Sequence, residues 1–323
     1  MIPMNMVTPP PELAAITALQ SKLVAALRPI LPEHALLWEP EDTIPYECDG
    51  LAAYRRMPLA VALPETEEQV AQILKVCFEM QVPIVPRGSG TGLSGGAMPI
   101  SQGLVLSLAK LKKIISIDPF TRTAVVQPGV RNLAISEAVA HLGLYYAPDP
   151  SSQIACSIGG NVNENSGGVH CLKYGLTLHN VLKVRGILMN GEIVEFGSLA
   201  PDSPGLDLLA IVMGSEGMLA VVTEVTVKLI AKPKLARVIM ASFDDIEKGA
   251  DAVAAIIAAG IIPAGLEMMD KATTRAVEEF VHAGYDLEAE TILLCESDGT
   301  PEEVAEEIER MTKVLEQAGA SGI

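Results

Sequence analysis

Apolar positions near the start of the chain follow a helical period. Between residues 13 and 27 the apolar side chains recur every three or four positions, which predicts a helix with one buried face. Pro29 and Pro32 end this helix, because proline disrupts a helix interior. Residues 1–11 contain four prolines and predict a loose leader.

A β-α-β unit is predicted between residues 59 and 85. The apolar runs 59–63 and 82–85 are typical of short buried strands, and the residues between them have a helical apolar period. Thr66 and Gln69 stand three positions apart at the start of that helix, as in a capping box. Two strands that are joined through a helix are expected to run parallel.

Short strand-like runs with turn residues between them continue as far as residue 230. Asn132 is the expected cap of a helix that runs to His141, and Asn190-Gly191 is a strong hairpin signal. We therefore predict one α+β domain that begins with the β-α-β unit and continues with antiparallel strands. The strand-like runs lie at 104–108, 113–117, 124–127, 181–189, 193–196 and 218–230.

The pattern changes to a regular alternation of strands and helices after Lys232-Pro233-Lys234, which we predict to be a domain boundary. We expect a first domain over 1–232, in which 1–34 form the leader and the first helix, and a second domain over 233–323. In the second domain, strands are predicted at 236–243, 265–269 and 291–297, and helices at 245–259, 271–282 and 301–318.

Composition narrows the class of protein. The 323 residues include 23 lysines and arginines and 40 aspartates and glutamates, and the net charge of −17 argues against nucleic acid and anionic lipid as partners. The five cysteines form no CxxC pair, so we expect no disulfide framework, no metal site and a reducing, cytoplasmic location. The longest apolar run, 252–266, contains Gly260 and Pro263 and is too short to span a membrane.

The segment 86–96, with the sequence PRGSGTGLSGG, carries the strongest functional signal. Five of its 11 residues are glycines, which let backbone N–H groups approach and surround an anion. Ser89, Thr91 and Ser94 add hydroxyl donors and Arg87 adds positive charge, so a pyrophosphate is the expected ligand. The alternative is a mobile glycine-rich surface loop.

This segment differs from two common phosphate-binding loops. It lacks the Gly-Lys-Ser/Thr of a Walker loop. Gly90, Gly92 and Gly95 match the GxGxxG of dinucleotide-binding folds, but a strand pattern follows where that fingerprint requires a helix. An NAD-binding Rossmann domain is therefore the weaker hypothesis.

Two later segments have the small, polar character of a cofactor-binding wall. The segment 148–168, PDPSSQIACSIGGNVNENSGG, has paired glycines and no apolar period, so we predict a long functional loop that wraps a large flat ligand. Glu216 lies between Gly214 and Gly217 before a strand, where a carboxylate can accept a hydrogen bond from a ribose hydroxyl or a ring N–H. The alternative for Glu216 is a solvated turn.

These segments carry a family resemblance. PRGSGTGLSGG, IGGNVNENSGG and GSEGMLAVVTEV, in this order, resemble the FAD-binding domain of the vanillyl-alcohol oxidase (p-cresol methylhydroxylase, PCMH) superfamily. IPYECDGLAAYR, PDPSSQIACSIGGNV, GGVHCLKYGLT and IPAGLEMMD are similar to the FAD-binding catalytic subunits of bacterial glycolate oxidases. The resemblance implies an α+β fold, with a PCMH-type FAD-binding domain and an incomplete ferredoxin-like α/β cap domain.

The resemblance implies non-covalent FAD as the cofactor. Arg87 to Gly96 would bind its pyrophosphate through backbone amides. Pro148, Asp149, Ser151 and Ser152 would lie along the flavin or its ribityl chain, and Glu216, Gly217 and Val222 would close over the adenosine end. One departure is Ala220, where the family usually has glycine. The implied FAD-binding residues are Pro86, Arg87, Gly88, Ser89, Gly90, Thr91, Gly92, Leu93, Ser94, Gly95, Pro148, Asp149, Ser151, Ser152, Cys156, Ile158, Gly159, Gly160, Asn163, Asn165, Gly167, Gly168, Glu216, Gly217 and Val222.

The implied activity is oxidation of a small 2-hydroxy acid, glycolate or D-lactate, to the 2-oxo acid, with hydride transfer to flavin N5. The implied partners are a second flavin subunit and an iron–sulfur subunit, through which the chain would contact the inner membrane face peripherally. The family's HxGDGNxH-type and GEHG segments do not occur before Ile323, so catalytic residues are expected beyond it and the chain is expected to be C-terminally truncated and inactive alone. The alternative is an FAD-binding but catalytically incomplete assembly subunit or fragment.

Three residues near position 175 are further candidates. Tyr174 is expected to line the substrate side, because the resemblance places the Lys173-Tyr174-Gly175 stretch close to the flavin. His170 and His179 are candidates for a flavin-linked histidine or a base, with a structural role as the alternative for each.

Overall fold

The computed structural model describes residues 11–200 and 205–323, so residues 1–10 of the predicted leader lie outside the described residues. The strands, numbered in chain order, are β1 (Leu36–Leu37), β2 (Ala60–Ala62), β3 (Ile84–Arg87), β4 (Leu104–Ser107), β5 (Ile114–Asp118), β6 (Thr123–Val126), β7 (Leu144–Tyr145), β8 (Val181–Ile187), β9 (Ile193–Gly197), β10 (Val221–Lys228), β11 (Ile230–Ala231), β12 (Leu235–Phe243), β13 (Gly265–Asp270) and β14 (Thr291–Gly299). The α-helices are α1 (Pro11–Leu27), α2 (Pro40–Thr43), α3 (Glu67–Met80), α4 (Asn132–Val139), α5 (Ile158–Glu164), α6 (Cys171–Tyr174), α7 (Thr177–Asn180), α8 (Leu208–Val212), α9 (Ile246–Ala258), α10 (Lys271–Val281) and α11 (Pro301–Gln317).

The described chain divides into two compact units. The first contains the described residues up to Val139 together with Ser152–Ser166 and Val181–Leu229. The second contains Ala140–Ser151, Gly167–Asn180 and Ile230–Ile323. Two short segments that precede residue 232 in the sequence therefore pack with the C-terminal part of the chain.

The first unit contains a four-stranded sheet in the order β1-β2-β4-β3 and a five-stranded sheet in the order β5-β6-β10-β8-β9. The predicted β-α-β unit is confirmed in direction, because β2 and β3 both pair in parallel with β4. The two strands are not neighbours, since Val61 and Val85 pair with Val105 from opposite sides. The second sheet is antiparallel throughout.

Helix α3 begins with the predicted capping box. Thr66 Oγ1 accepts a hydrogen bond from the Gln69 backbone N–H at 3.2 Å, and Gln69 Oε1 accepts one from the Thr66 N–H at 3.3 Å. The helix buries Ile73 and Leu74 completely in the core of the first unit. Full burial of each such side chain contributes about 1.5–3 kcal/mol to folding.

The predicted hairpin is also confirmed. Strands β8 and β9 pair antiparallel, and Gly191 occupies the turn between them with a φ of 85°. Asn190 precedes it and accepts a hydrogen bond from the Glu192 backbone N–H through Oδ1. A left-handed φ in this turn explains why glycine follows asparagine there.

The prediction of a loop without regular structure over 148–168 is wrong, because this segment contains helix α5. Ser157 Oγ accepts a hydrogen bond from the Gly160 N–H at the start of the helix, and Asn165 ends it with a left-handed φ of 50°. The buried positions of α5 include Gly159 and Asn161 as well as Ile158. A hydrophobic period cannot detect a buried face that is built partly from glycine and asparagine.

The second unit contains an antiparallel sheet in the order β12-β14-β13; α9 and α10 connect its strands, and α11 follows β14. The predicted strands and helices of this part are confirmed to within two residues at every end. Its core contains Phe243, Ile256, Leu293, Met311 and Leu315, all fully buried. Within the described ranges, no helix is both long and apolar enough to cross a membrane.

Candidate functional site

The glycine-rich loop after β3 forms one wall of a pocket of about 120 Å³ in the first unit. The start of α5 and the turn before β10 supply the other walls. The lining residues are Asp49, Pro86, Gly88, Ser89, Gly90, Thr91, Gly92, Gly96, Ala97, Ser152, Cys156, Ser157, Gly160, Asn161, Asn163, Glu164, Ser166 and Glu216.

Close approach between the loop and α5 explains the glycine at position 88. A Cβ on Gly88 would lie 2.2 Å from Ser157 Oγ, which is the atom that caps α5. Gly90 has a φ of +69°, a left-handed backbone conformation that glycine adopts more readily than other residues. The loop backbone can therefore lie directly against the start of α5.

Arg87 supports the loop rather than lining the pocket. Its Nη1 donates to the backbone carbonyls of Cys48 at 2.7 Å and Ala97 at 3.4 Å, and its guanidinium lies 5.6 Å from the centre of the Tyr46 ring. Burial lowers the pKa of Arg87, and the charge of Asp49 acts in the opposite direction. The guanidinium remains charged, since even a lowered arginine pKa lies far above neutrality.

The pocket contains a buried acceptor without a partner. Asn163 Oδ1 is inaccessible to solvent and has no hydrogen-bond partner among the described residues. Its neighbour Asn161, by contrast, donates from Nδ2 to Asn132 Oδ1 at 2.8 Å. An unsatisfied buried oxygen costs about 1–3 kcal/mol, so Asn163 suits a ligand that supplies a donor.

The structure brings together part of the predicted site. The predicted residues that line the pocket are Pro86, Gly88, Ser89, Gly90, Thr91, Gly92, Ser152, Cys156, Gly160, Asn163 and Glu216. Leu93, Ser94 and Gly95 belong to the same loop but do not line it.

Other predicted residues have packing roles or lie in the second unit. Gly159 packs against Pro128, Gly217 packs against Pro86, and Val222 is fully buried in β10. Ile158 is fully buried and Asn165 ends α5. The predicted residues in the second unit are Pro148, Asp149, Ser151, Gly167 and Gly168.

Sequence reasoning missed several lining residues. Ala97 directly follows the glycine-rich segment, and Ser157, Glu164 and Ser166 lie inside the second predicted segment. The sequence did contain a signal for the residues of α5, because Ser157, two positions before the paired glycines, is a favourable residue for the N-terminal cap of a helix. Asp49 lies far from both segments in sequence, and no local pattern marks it.

A second group of polar residues lies within the second unit. His170 Nδ1 lies 2.5 Å from Asp149 Oδ2, and His170 Nε2 lies 3.3 Å from Glu296 Oε2. The hydrogen bond to Asp149, more than any other factor, raises the pKa of His170 to about 9. A pKa near 9 favours the imidazolium form of His170 at neutral pH, and this form cannot accept a proton as a general base.

Tyr174 takes part in a neighbouring cluster. Its hydroxyl donates to Asp298 at 2.7 and 2.8 Å, and Lys173 Nζ lies 2.5 Å from the same carboxylate. Burial and the hydrogen bond to Asp298 raise the pKa of Tyr174, so the phenol stays neutral. His179 Nδ1 accepts a hydrogen bond from the Leu176 backbone N–H, which supports the structural alternative for this residue.

Comparison with known proteins identifies the family. An FAD binding domain matches residues 58–197, and the C-terminal domain of FAD linked oxidases matches residues 232–323. The chain is 59% identical over 304 residues to glycolate oxidase subunit GlcD of Escherichia coli strain K12. This chain belongs to the FAD-linked oxidases. The predicted family and the predicted cofactor, FAD, are thereby confirmed.

Other members of the family extend this finding. The chain is 43% identical to glycolate oxidase subunit GlcD of Bacillus subtilis over 86% of its length, and 33% identical to a D-lactate dehydrogenase of Anaerostipes hadrus over 93%. It spans 61%, 59% and 64% of the E. coli, B. subtilis and A. hadrus relatives. The chain thus covers about three fifths of these FAD-linked oxidases.

Solved structures confirm the predicted fold. An alkyldihydroxyacetonephosphate synthase superposes with a TM-score of 0.80 at 19% identity, over 94% of this chain and 60% of the other. p-Cresol methylhydroxylase superposes with a TM-score of 0.76 at 21% identity, over 94% of this chain and 65% of the other. The family fold is therefore the PCMH-type FAD-binding fold with an FAD-oxidase C-terminal domain.

Proposed function

We propose that this chain oxidises a small 2-hydroxy acid, glycolate or D-lactate, to the 2-oxo acid with FAD as its cofactor. The observation that carries this proposal is the 59% identity to a glycolate oxidase subunit over 94% of the chain. The D-lactate dehydrogenase relative supports the same class of substrate, since both names describe 2-hydroxy acid chemistry. The substrate is thus inferred from the relatives, whereas the contacts with the cofactor are inferred from the residues of the pocket.

The pocket residues fit a bound FAD. The loop 88–92 offers backbone N–H groups to the diphosphate, and Asn163 Oδ1 offers an unsatisfied acceptor to a hydroxyl or N–H group of the cofactor. Bound FAD supplies the group that accepts a hydride equivalent from the substrate. We propose that the attachment is non-covalent, as the family resemblance implies.

Partners are part of the proposal. Two relatives are described by name as subunits, which supports assembly with other chains. We propose that electrons pass to an iron–sulfur subunit and that a second flavin subunit completes the assembly. The unpaired cysteines support a cytoplasmic location, with membrane contact through the partners alone.

The proposal is tested by loading the purified chain with FAD and mixing it anaerobically with glycolate or D-lactate. We expect FAD to be released intact on denaturation. Loss of its oxidised visible absorbance with at least one of the two acids would show that this chain suffices for the reaction, although the family resemblance implies that it is inactive alone. Acetate is the matched control, because it has no hydroxyl group to oxidise. Bound FAD that neither acid reduces would support the catalytically incomplete subunit instead.

A further inference from the structure

Three carboxylates line the glycine-rich pocket, whereas no lysine, arginine or histidine of the described chain lines it. The carboxylates belong to Asp49, Glu164 and Glu216. Arg87, the cation predicted for this site, does not line the pocket. It donates to the backbone carbonyl of Cys48, which is not a lining residue, and to that of Ala97, which is one. The carboxylates therefore repel an incoming diphosphate, and hydrogen bonds from backbone N–H groups of the protein must offset this repulsion.

Glu164 and Glu216 approach each other at Gly96. A Cβ placed on Gly96 would lie 2.9 Å from Glu164 Oε1 and 3.4 Å from Glu216 Oε2. Asp49 is the second charged group that acts on Glu164, and its charge also acts on Arg87. Burial raises the pKa of Glu164, and the charges of Glu216 and Asp49 raise it further. A further negative charge in the pocket must favour the protonated form still more.

We propose that FAD binding is coupled to proton uptake, and that the Glu164–Glu216 pair holds the proton. This rests on the proposed function, in which the pocket receives the FAD diphosphate. Protonation removes one repulsive charge and creates an O–H donor for a phosphate or ribose oxygen. Because binding then consumes a proton, FAD affinity must fall as the pH rises.

Calorimetric titration of the full chain with FAD tests this coupling. Titrations at one neutral pH in two buffers of different ionisation enthalpy report the protons that are taken up on binding. We expect an uptake of about half a proton at neutral pH, and correspondingly a Kd that rises about tenfold between roughly pH 6 and pH 8. The uptake is the decisive readout, because it does not depend on catalytic activity.

Variants of the pair identify the group that holds the proton. Glu164→Gln should abolish most of the uptake and flatten the pH dependence of Kd, while Glu164→Asp should retain both because it keeps an ionisable group. Glu79→Gln changes an exposed glutamate on α3 and should leave both quantities unchanged. Glu216→Gln is the second variant, and circular dichroism establishes that each variant is folded.

The outcomes separate this inference from the proposed function. FAD binding without proton uptake would overturn the inference alone. Full uptake in both Glu164→Gln and Glu216→Gln would also overturn it, since another group would then hold the proton. A folded chain that binds no FAD at either pH would contradict the proposed function, and the coupling with it.

Discussion

His170 Nδ1 lies 2.5 Å from Asp149 Oδ2 within the second unit of the chain. The opposite ring nitrogen, Nε2, lies 3.3 Å from Glu296 Oε2 on strand β14. One imidazole thereby connects two carboxylates that are distant in sequence. A ring with an acceptor at each nitrogen is best satisfied as an imidazolium, because both nitrogens are then donors.

We expect His170 to titrate at a pKa of about 9, chiefly because of its hydrogen bond to Asp149. This pKa is higher than that of an unfolded histidine, about 6.5, so protonation of His170 stabilises the folded chain. The stabilisation is fully present at pH values below the unfolded pKa. This contribution is lost as the pH rises through about 9. NMR titration of the ring protons measures the pKa, and denaturant unfolding between neutral pH and pH values near 9 measures the stability.

Asp149→Asn should lower the His170 pKa and reduce the loss of stability at alkaline pH. Asp244→Asn is the control, because it removes an exposed carboxylate that pairs with Lys248 instead. A His170 that titrates at its ordinary value in the unmodified chain would contradict this expectation.

Glu67 joins α3 to the five-stranded sheet in the first unit. Its carboxylate accepts hydrogen bonds from Arg185 Nε at 3.0 Å and Nη2 at 3.1 Å, and from Thr223 Oγ1 at 2.6 Å. We expect Glu67→Gln to lower the free energy of unfolding by about 1–2 kcal/mol, because the group is only partly buried. Glu68→Gln, one position along the same helix turn and exposed, should change it little.

The contribution of Glu67 to the stability of the fold depends on pH in the opposite sense to the contribution of His170. Burial acts to raise the pKa of Glu67, but hydrogen bonds from Arg185 and Thr223 outweigh it and lower the pKa overall. The stability is therefore present above the unfolded pKa of about 4.3 and is lost as the pH falls through the folded value. Equal acid sensitivity of Glu67→Gln and the unmodified chain would contradict this account.

Local patterns predicted much of the fold. The capping box at Thr66 and the Asn190-Gly191 turn are short-range signals, and the structure contains both as expected. The same reasoning missed α5, whose buried face includes Gly159 and Asn161. It also missed that β4 lies between β2 and β3, because sheet order is a long-range property that local periods do not encode.

The candidate site was predictable to a similar extent. The glycine loop was evident from composition, and the backbone nest is the physical reason for it. Asp49 was not evident, because the fold alone brings it to a pocket formed by distant segments. The partner of His170 on β14 was equally hidden, since Glu296 lies more than a hundred positions away in sequence.

Gly88→Ala tests the close approach of the loop to α5. The added methyl group would lie 2.2 Å from Ser157 Oγ but 3.6 Å from Ser157 Cβ, so the clash involves the hydroxyl alone. We expect Gly88→Ala to lower the free energy of unfolding and the FAD affinity together. Gly92→Ala in the same loop is the matched control for the free energy of unfolding alone, since its Cβ would meet only Glu164 Oε1 at 3.7 Å, whereas Gly92 itself lines the proposed FAD pocket.

A double-mutant cycle with Ser157→Ala isolates this contact. Ser157→Ala alone should cost about 1 kcal/mol, because it removes the cap of α5. In the Ser157→Ala background, Gly88→Ala should cost much less than in the unmodified chain, which denaturant unfolding measures. Additive costs would contradict the contact.

Asn163→Leu tests the unsatisfied acceptor in the pocket. Leucine has a similar size and no polar atom, so it removes a buried oxygen that lacks a partner in the cofactor-free chain. We expect the cofactor-free variant to be as stable as the unmodified chain or more stable, because an unsatisfied oxygen costs about 1–3 kcal/mol. FAD should bind about tenfold more weakly, since one hydrogen bond to the cofactor is lost.

Asn161→Leu gives the opposite result if the two asparagines have the roles described. Asn161 Nδ2 donates to Asn132 Oδ1 at 2.8 Å in the core, so its replacement should lower the free energy of unfolding by about 1–3 kcal/mol. Fluorescence titration with FAD and denaturant unfolding of the cofactor-free chain measure both quantities for each variant. Unchanged FAD affinity in Asn163→Leu would show that Oδ1 does not contact the cofactor, and reduced stability would show that it is satisfied within the chain.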